Sequence, residues 1–292
     1  MTTHLHTIIL AAGEGSRVRS LTKNADGVSI PKQFFAADGH RTMLRWTLDR
    51  AMRLVPKERV VVVVAREHDG WWHHDLAELP PENVVIQPLN RGTAVGLLLP
   101  FVKVLQRDPQ ARVLVLPSDH HVADEAALER AIHEALAAVH VDGKRVVLLG
   151  AVPREPDAEY GWIVPRGAVD GPREVAAFVE KPDRETARTL MDRGAILNTL
   201  ILVADGASLL GLFATHLPAV LDALLSWRDG ARMPERELED LYRSLPVHDL
   251  SRDVLRLSCE QLSVLPVLNS GWSDLGTPDR LRLFHRQASA TS

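Results

Sequence analysis

Apolar residues occur in this chain in two alternating patterns, short unbroken runs and longer stretches with helical spacing. Residues 59–65 form a valine-rich run without polar alternation, which is typical of a parallel strand buried on both faces. Residues 126–139 have helical spacing and place four aliphatic side chains on one face, those of Leu128, Ile132, Leu136 and Val139. The other strands predicted in the first half are 7–11, 84–86, 112–116 and 145–149, and the other helices are 42–54, 68–79 and 93–105.

Strands and helices that alternate in this way predict an α/β fold with a mostly parallel sheet and helices on both faces. The second half is less regular, and residues 227–243 carry many charges that indicate a solvated helix or loop. Its predicted strands are 162–165, 175–178, 197–204 and 261–267, and its predicted helices are 184–193, 207–225 with a break near Pro218, and 278–285. No linker-like composition separates the halves, so the pattern favours one domain.

Composition narrows the class of protein further. The 292 residues are 46% apolar and 25% charged, as in ordinary soluble globular proteins, and the net charge of −4 does not favour nucleic-acid binding. The single cysteine, Cys259, excludes an internal disulfide framework and fits a reducing cytoplasm. We expect no signal peptide, and the longest apolar stretch, residues 94–105, contains Lys103 and is too short to span a bilayer.

A turn of small residues follows the first predicted strand and contains Gly13 and Gly15, with Arg17 close behind. Glycine lets backbone N–H groups approach an anion closely, and successive N–H groups form an anion-binding concavity. Arg17 can bind phosphate oxygens through its guanidinium, and Lys32 adds a second cation. The turn has neither the third glycine of a dinucleotide fingerprint nor a Walker A sequence. These residues predict a nucleoside triphosphate site, while a plain tight turn remains the alternative.

Asp119 follows the predicted strand at residues 112–116. At the carboxyl end of a strand, a carboxylate can face the ligand cleft and bind Mg²⁺ through one oxygen. It can equally cap the following turn, as aspartate often does. The neighbouring His120 and His121 do not indicate zinc, because no cysteine lies near and phosphate chemistry favours magnesium.

The segments Leu10 to Arg17 and Pro31-Lys32-Gln33-Phe34 resemble the signature of the sugar-1-phosphate nucleotidyltransferases, and most of all that of the mannose-1-phosphate guanylyltransferases. Six ordered segments between residue 8 and about residue 281 carry the resemblance. It implies a Rossmann-like, GT-A-like nucleotidyltransferase fold without a C-terminal β-helix, so epimerase or isomerase bifunctionality is not expected. Within one domain, residues 1–292, it implies a nucleotide-binding half at 1–150 and a sugar-binding half at 151–292.

This resemblance implies a reaction between a hexose-1-phosphate, mannose-1-phosphate in the first instance, and a nucleoside triphosphate, GTP in the first instance. A phosphate oxygen of the sugar attacks the α-phosphorus, and pyrophosphate leaves. The nucleophile is already anionic, so the reaction needs positioning and charge stabilisation rather than a general base. The expected catalytic cations are Arg17 on pyrophosphate, Lys32 on the α-phosphate and Lys181 on the sugar phosphate. Mg²⁺ is the implied cofactor, with Asp119 and Asp274 as its ligands.

The remaining site residues are carried over from family motifs. Residues 88–94 resemble a Pro-x-Asn-Arg-x-Thr-Ala segment, although spacing alone would indicate a capped helix start. The implied nucleotide contacts are Ala11, Ala12, Gly13, Gly15, Gln87, Gly92 and Thr93. The implied sugar contacts are Gly161, Glu180 in Glu-Lys-Pro, and Asn198. Leu197 stands where the family usually has tryptophan, Val95-Gly96 replaces Pro-Ala, and the stretch between Arg17 and Pro31 is longer than usual.

Two other functions remain open. One is a cytidylyltransferase acting on a non-sugar alcohol phosphate, which shares the glycine turn and Pro-Lys-Gln. The other is a non-catalytic nucleotide-sugar sensor, against which the retained Arg17, Lys32, Asp119 and Asp274 argue. We expect neither nucleic acid nor membrane as a partner. A homodimer is the assembly considered, although the sequence determines neither the oligomeric state nor the base and hexose.

Overall fold

A computed structural model describes residues 3–24, 26–167, 171–226 and 234–291, and its described strands form one nine-stranded sheet. In chain order the strands are β1 Leu5–Ala11, β2 Val60–Ala65, β3 Val84–Gln87, β4 Arg112–Pro117, β5 Val146–Ala151, β6 Gly161–Pro165, β7 Arg173–Glu180, β8 Ile196–Asp205 and β9 Leu262–Val267. Their order across the sheet is β3-β2-β1-β4-β8-β5-β9-β7-β6. Strands from both halves of the chain therefore share the sheet.

The sheet is mixed, so the expectation of a mostly parallel sheet was wrong in part. Strands β1 to β4 pair in parallel, and so do β5 and β9. The strand β8, however, lies antiparallel between β4 and β5, and β6 and β7 pair antiparallel. An unbroken apolar run shows that a strand is buried on both faces, but it carries no information about the direction of that strand.

The helices lie on both faces of the sheet, as the sequence pattern predicts. Their bounds are α1 Met43–Leu54, α2 Asp69–Leu76, α3 Gly92–Arg107, α4 Glu125–Val141, α5 Arg184–Asp192, α6 Gly206–His216, α7 Pro218–Leu225, α8 Glu235–Ser244, α9 Leu250–Asp253 and α10 Pro278–Thr291. Alternate residues of the strands enter two separate cores. Ile8 packs with α3 on one face, whereas Ile9 packs with α1 and α4 on the other.

Local sequence signals set several helix boundaries. Thr42 caps α1 by accepting a hydrogen bond from the N–H of Arg45, and Asp124 caps α4 in the same way. The predicted break near Pro218 is the boundary between α6 and α7, where proline occupies the first helical position. Of the charged stretch 227–243, residues 235–243 lie in α8, while 227–233 lie outside the described residues.

The carboxyl ends of β1, β4 and β9 lie at the same edge of the sheet. The glycine turn follows β1, Asp119 follows β4, and Asp274 lies beyond β9. No helix in the described part of the chain combines the length and apolarity that a membrane span requires.

Candidate active site

The glycine turn after β1 is held from beneath by Gln33. The buried Gln33 amide donates to the carbonyl oxygens of Ala11, at 3.0 Å, and Gly13, at 2.9 Å. Within the described residues, the N–H groups of Gly13, Glu14 and Gly15 donate to no partner. The carbonyl oxygens of Ala11 and Gly13 are therefore bound within the protein, and the N–H groups of the turn are available to an anion.

The side chain of Lys32 joins three distant segments of the chain. It is buried, at 4% exposure, and it lies directly against the turn, 2.8 Å from where a Cβ on Gly15 would stand. Its Nζ donates to Oδ2 of Asp119 at 2.9 Å and also to the carbonyl oxygen of Asp274. The turn, the end of β4 and the segment after β9 thus meet at one residue, the turn at the backbone and Cβ of Lys32 and the other two at its ammonium group.

The two carboxylates fit a hard divalent cation. The Asp119 side chain remains 41% exposed beside Lys32, and the Asp274 carboxylate lies close enough to influence its ionisation. Mg²⁺ commonly binds one or two protein carboxylates and completes its shell with water and phosphate oxygens. No group of three or more His, Cys, Asp or Glu side chains among the described residues can hold a metal. A metal bound here would therefore need further ligands from a phosphate or from water.

Both carboxylates are ionised at neutral pH. Burial alone would raise the pKa of Asp274, but Lys32 and Arg280 outweigh it and lower the pKa to about 2. At Asp119 desolvation is likewise outweighed by Lys32 and His120, so the pKa of that carboxyl is also lowered. Ionised oxygens are the form that can bind a metal.

The neighbouring histidines have structural contacts. Trp272 donates its Nε1–H to Nδ1 of His120 at 3.3 Å, and burial lowers the pKa of His120, which favours the neutral ring. The ring of His121 packs against Trp46 and Phe284. Both rings are therefore engaged with aromatic side chains.

The expected base-binding segment also reaches the glycine turn. Asn90 donates from Nδ2 to Oε1 of Glu14 at 2.9 Å and accepts from the N–H of Gly92 at 2.9 Å. Gly92 has a φ of +83°, and a Cβ there would stand 2.2 Å from the carbonyl oxygen of His248. The hydroxyl of Thr93 donates to Asp249 and accepts from the N–H of Leu250. Thus Gly92 and Thr93 contact the start of α9 in this structure.

Gln87 is the last residue of β3 and directly precedes the expected base-binding segment, residues 88–94. Its side chain is 2% exposed, and its Oε1 is buried without a hydrogen-bond partner among the described residues. A buried amide oxygen without a partner costs about 1–3 kcal/mol, so such an atom indicates a site for a donor.

The expected sugar-side residues lie on neighbouring strands. Gly161 pairs with Glu180 across β6 and β7, and a Cβ on Gly161 would stand 2.6 Å from Oε2 of Glu180. Lys181 is exposed, with its Nζ 3.8 Å from Oε1 of Glu180. Asn198 donates to Ser251 and accepts from the N–H of Leu200, so both ends of its amide are already engaged.

Arg17 projects from the turn toward the second half of the chain. Its guanidinium donates to Oε2 of Glu159 at 2.6 Å, and about half of each side chain is exposed. A solvent-exposed pair of this kind contributes little to stability and leaves the arginine available to an anion.

The family model described as nucleotidyl transferase matches residues 6–290, nearly the whole chain, including the glycine turn and both aspartates. The chain belongs to the nucleotidyl transferase family.

Curated nucleotidyl transferase relatives are longer than this chain. The mannose-1-phosphate guanylyltransferase of Escherichia coli is 30% identical over 287 residues, which cover 94% of this chain and 58% of that protein. The alginate biosynthesis protein AlgA of Pseudomonas syringae pv. tomato is 29% identical over 276 residues, which cover 92% and 56% respectively. The chain thus spans a little over half the length of these relatives.

Solved structures show the same nucleotidyl transferase fold. A Thermus thermophilus protein described as a mannose-1-phosphate geranyltransferase has a TM-score of 0.81 and 29% identity, covering 94% of this chain and 77% of that chain. An inositol-1-phosphate CTP transferase from T. maritima has a TM-score of 0.62 at 16% identity, covering 99% and 96%, and shares the fold alone.

Several residues at this nucleotidyl transferase site were not predicted from the sequence. Tyr160 and Arg280 both donate to Oδ1 of Asp274, and Asp249 accepts a hydrogen bond from the hydroxyl of Thr93. Tyr160 adjoins the predicted Gly161, which was a usable signal. Arg280 and Asp249 lie in stretches whose sequence resembles ordinary charged helix surface, so no local signal distinguished them.

Alanine is expected to destabilise the fold at Gly15 but not at Gly13. Gly15 has a φ of +57°, and a Cβ there would contact the backbone N of Lys32 at 2.9 Å, whereas a Cβ on Gly13 meets nothing within 4 Å. We expect Gly15→Ala to lower the free energy of unfolding by about 2 kcal/mol, since left-handed backbone and a steric clash both oppose it. Urea denaturation measures this change, and Gly13→Ala serves as the stability control. Equal stability of the two variants would contradict the described contact.

Glutamine at Glu180 is expected to stabilise the protein at neutral pH. Burial and the negative charge of Asp249 raise the pKa of Glu180 against a smaller opposite effect of Lys181, and its Oε2 lacks a partner among the described residues. A carboxylate with a raised folded-state pKa destabilises the fold above that pKa, and the cost disappears below the ordinary value of 4.5. Glu180→Gln should therefore raise the free energy of unfolding by about 1 kcal/mol at pH 7 and leave it unchanged near pH 4. Urea unfolding at both pH values checks this, and a gain of equal size at pH 4 would contradict the ionisation argument.

Proposed function

We propose that this protein is a sugar-1-phosphate nucleotidyltransferase that joins mannose-1-phosphate to GTP and releases pyrophosphate. The observation that carries the proposal is that one buried residue, Lys32, packs against the glycine turn and donates from Nζ to the Asp119 carboxylate and to the carbonyl oxygen of Asp274. A plain surface turn and two unrelated surface aspartates would have no reason to contact the same buried lysine. Similarity to proteins named mannose-1-phosphate guanylyltransferase supports the choice of substrates.

Two anions react in this chemistry, so charge stabilisation and positioning are the main demands on the protein. In the proposal, the free N–H groups of Gly13, Glu14 and Gly15 bind triphosphate oxygens. Arg17 exchanges Glu159 for the leaving pyrophosphate, which its bidentate guanidinium suits. Lys32 stabilises negative charge on the α-phosphate.

Asp119 and Asp274 would hold Mg²⁺, which supplies charge neutralisation to phosphate oxygens when it is bound. The fit rests on their ionised state and on their common neighbour, Lys32. The chain itself provides the ammonium group that links the Asp119 carboxylate to the backbone of Asp274.

The base and the sugar occupy opposite sides of this centre in the proposal. Gln87 offers its unpartnered Oε1 to an N–H group of the base, and the start of α3 at Gly92 and Thr93 lines the same side. On the sugar side, Glu180 accepts hydrogen bonds from hydroxyl groups, and the absence of a side chain at Gly161 leaves Glu180 room. Lys181 neutralises the sugar phosphate, and Asn198 adds a polar contact.

A panel of four nucleoside triphosphates and four sugar or alcohol phosphates, read by pyrophosphate release in the presence of Mg²⁺, tests the proposal. We expect the fastest release with GTP and mannose-1-phosphate. Release only with CTP and a non-sugar alcohol phosphate would instead establish a cytidylyltransferase. Nucleotide-sugar binding without release from any pair would establish a sensor, and either result would overturn the proposal.

A further inference from the structure

Three donors converge on one oxygen of the Asp274 carboxylate. Oδ1 accepts hydrogen bonds from the hydroxyl of Tyr160 at 2.8 Å, from Nη1 of Arg280 at 2.7 Å and from the N–H of Gly276 at 2.9 Å. The carbonyl oxygen of the same residue accepts from Lys32. This concentration of donors on Oδ1 sets the carboxylate plane and makes Oδ2 the oxygen available to another ligand.

Arg280 is itself held in place by a second set of contacts. Its Nη2 donates to Oδ2 of Asp157, and its guanidinium carbon lies 4.3 Å from the centre of the Tyr160 ring. Its side chain is 19% exposed. Asp157 is fixed in turn, because its carbonyl oxygen accepts from Nε1 of Trp162 at 2.9 Å. A guanidinium bound on two sides and stacked on an aromatic ring has little freedom to move.

We propose that Arg280 and Tyr160 are positioning residues that fix the Asp274 carboxylate, with Oδ1 bound by the protein and Oδ2 presented to the metal. This inference rests on the proposed function of the site. Loss of a group that orients a metal ligand typically lowers metal affinity or activity about 10- to 100-fold. Through Arg280, the first turn of α10 becomes part of the active site, acting on the Asp274 carboxylate.

Metal affinity tests the proposal independently of turnover. Binding of Mn²⁺ alone to the purified protein is followed by electron paramagnetic resonance, together with the Mg²⁺ concentration that half-activates pyrophosphate release. We expect Arg280→Met to weaken Mn²⁺ binding about 10- to 100-fold and to raise the Mg²⁺ requirement. Arg280→Lys should recover part of the loss, because it keeps the charge without the two-pronged geometry. Tyr160→Phe should produce a smaller loss.

The same helix offers a matched control. Arg282 lies two residues further along α10, is 60% exposed and pairs only with Asp279 among the described residues. Arg282→Met should bind Mn²⁺ like the unmodified protein. Should Arg280→Met fail to fold, Tyr160→Phe and Arg280→Lys give the same readout.

Failure of the positioning role and failure of the proposed function give different results. Mn²⁺ affinity and Mg²⁺ requirement that are unchanged in folded Arg280→Met, or in both substitute variants, would overturn the positioning role even if the enzyme is active. A chain that releases no pyrophosphate with any substrate pair would overturn the proposed function, while weakened Mn²⁺ binding in Arg280→Met would still support the positioning role.

Discussion

Asp274→Asn is expected to reduce pyrophosphate release about 10³-fold. The substitution removes one of the two carboxylates proposed to bind the metal, and a bound metal contributes several kcal/mol of charge stabilisation to reactions of this type. Asp274 is buried, and Tyr160, Arg280 and Gly276 all donate to its Oδ1, so the native carboxylate is held in one orientation. Steady-state release from GTP and mannose-1-phosphate at saturating Mg²⁺ measures the effect.

Asp279→Asn is the matched control for this prediction. Asp279 lies five residues further on, and its side chain is 93% exposed at the start of α10. Its removal should leave turnover unchanged. A folded Asp274→Asn protein with the turnover of the unmodified chain would show that this carboxylate does not serve catalysis, and the proposed metal site would then have to be abandoned.

Lys32→Met is expected to affect both activity and stability. Its ammonium group donates to the carboxylate of Asp119 and to the backbone carbonyl oxygen of Asp274. We expect turnover to fall about 10²–10³-fold, in line with the loss of one donor to developing charge. Breaking a buried ion pair costs about 3–5 kcal/mol, but Asp119 is 41% exposed, so solvent should reduce the loss of stability to about 1–3 kcal/mol.

Turnover assays and urea denaturation measure the two effects of Lys32→Met. Lys57→Met is the control, because Lys57 is exposed in the segment before β2 and lies away from the turn. Loss of activity in Lys32→Met without any loss of stability would show that the ion pair does not contribute to the fold. Loss of stability with full turnover would contradict the catalytic role.

Much of the site could be predicted because its motifs are local. The turn at Gly13 and Gly15 ends a strand, and Lys32 and Asp119 lie in short segments whose residue types indicate phosphate and metal chemistry. The structure brings Lys32, Asp119 and Asp274 together as that interpretation requires. The chemical roles of these residues remain predictions until the variants are measured.

Other parts of the site depend on contacts that no local pattern reports. Arg280 was predicted only as part of a closing helix, yet its guanidinium joins Asp274 to Asp157. Asp249, which precedes α9, accepts a hydrogen bond from Thr93 at the start of α3, a residue 156 positions away. Such partners are chosen by the packing of whole elements, and a charged residue on a helix surface has the same sequence signal with or without them.

The sequence by itself determined the order of strands and helices and the position of the chemical motifs, because apolar periodicity and small-residue turns are properties of short segments. Only the tertiary structure decided that β8 enters the sheet antiparallel between β4 and β5, and that Asp119 and Asp274 both contact Lys32. The physical reason is that the burial of a strand or helix depends on which of its faces are apolar, and a short segment of sequence encodes that pattern. Strand direction and distant contacts depend on how all the elements fill space together.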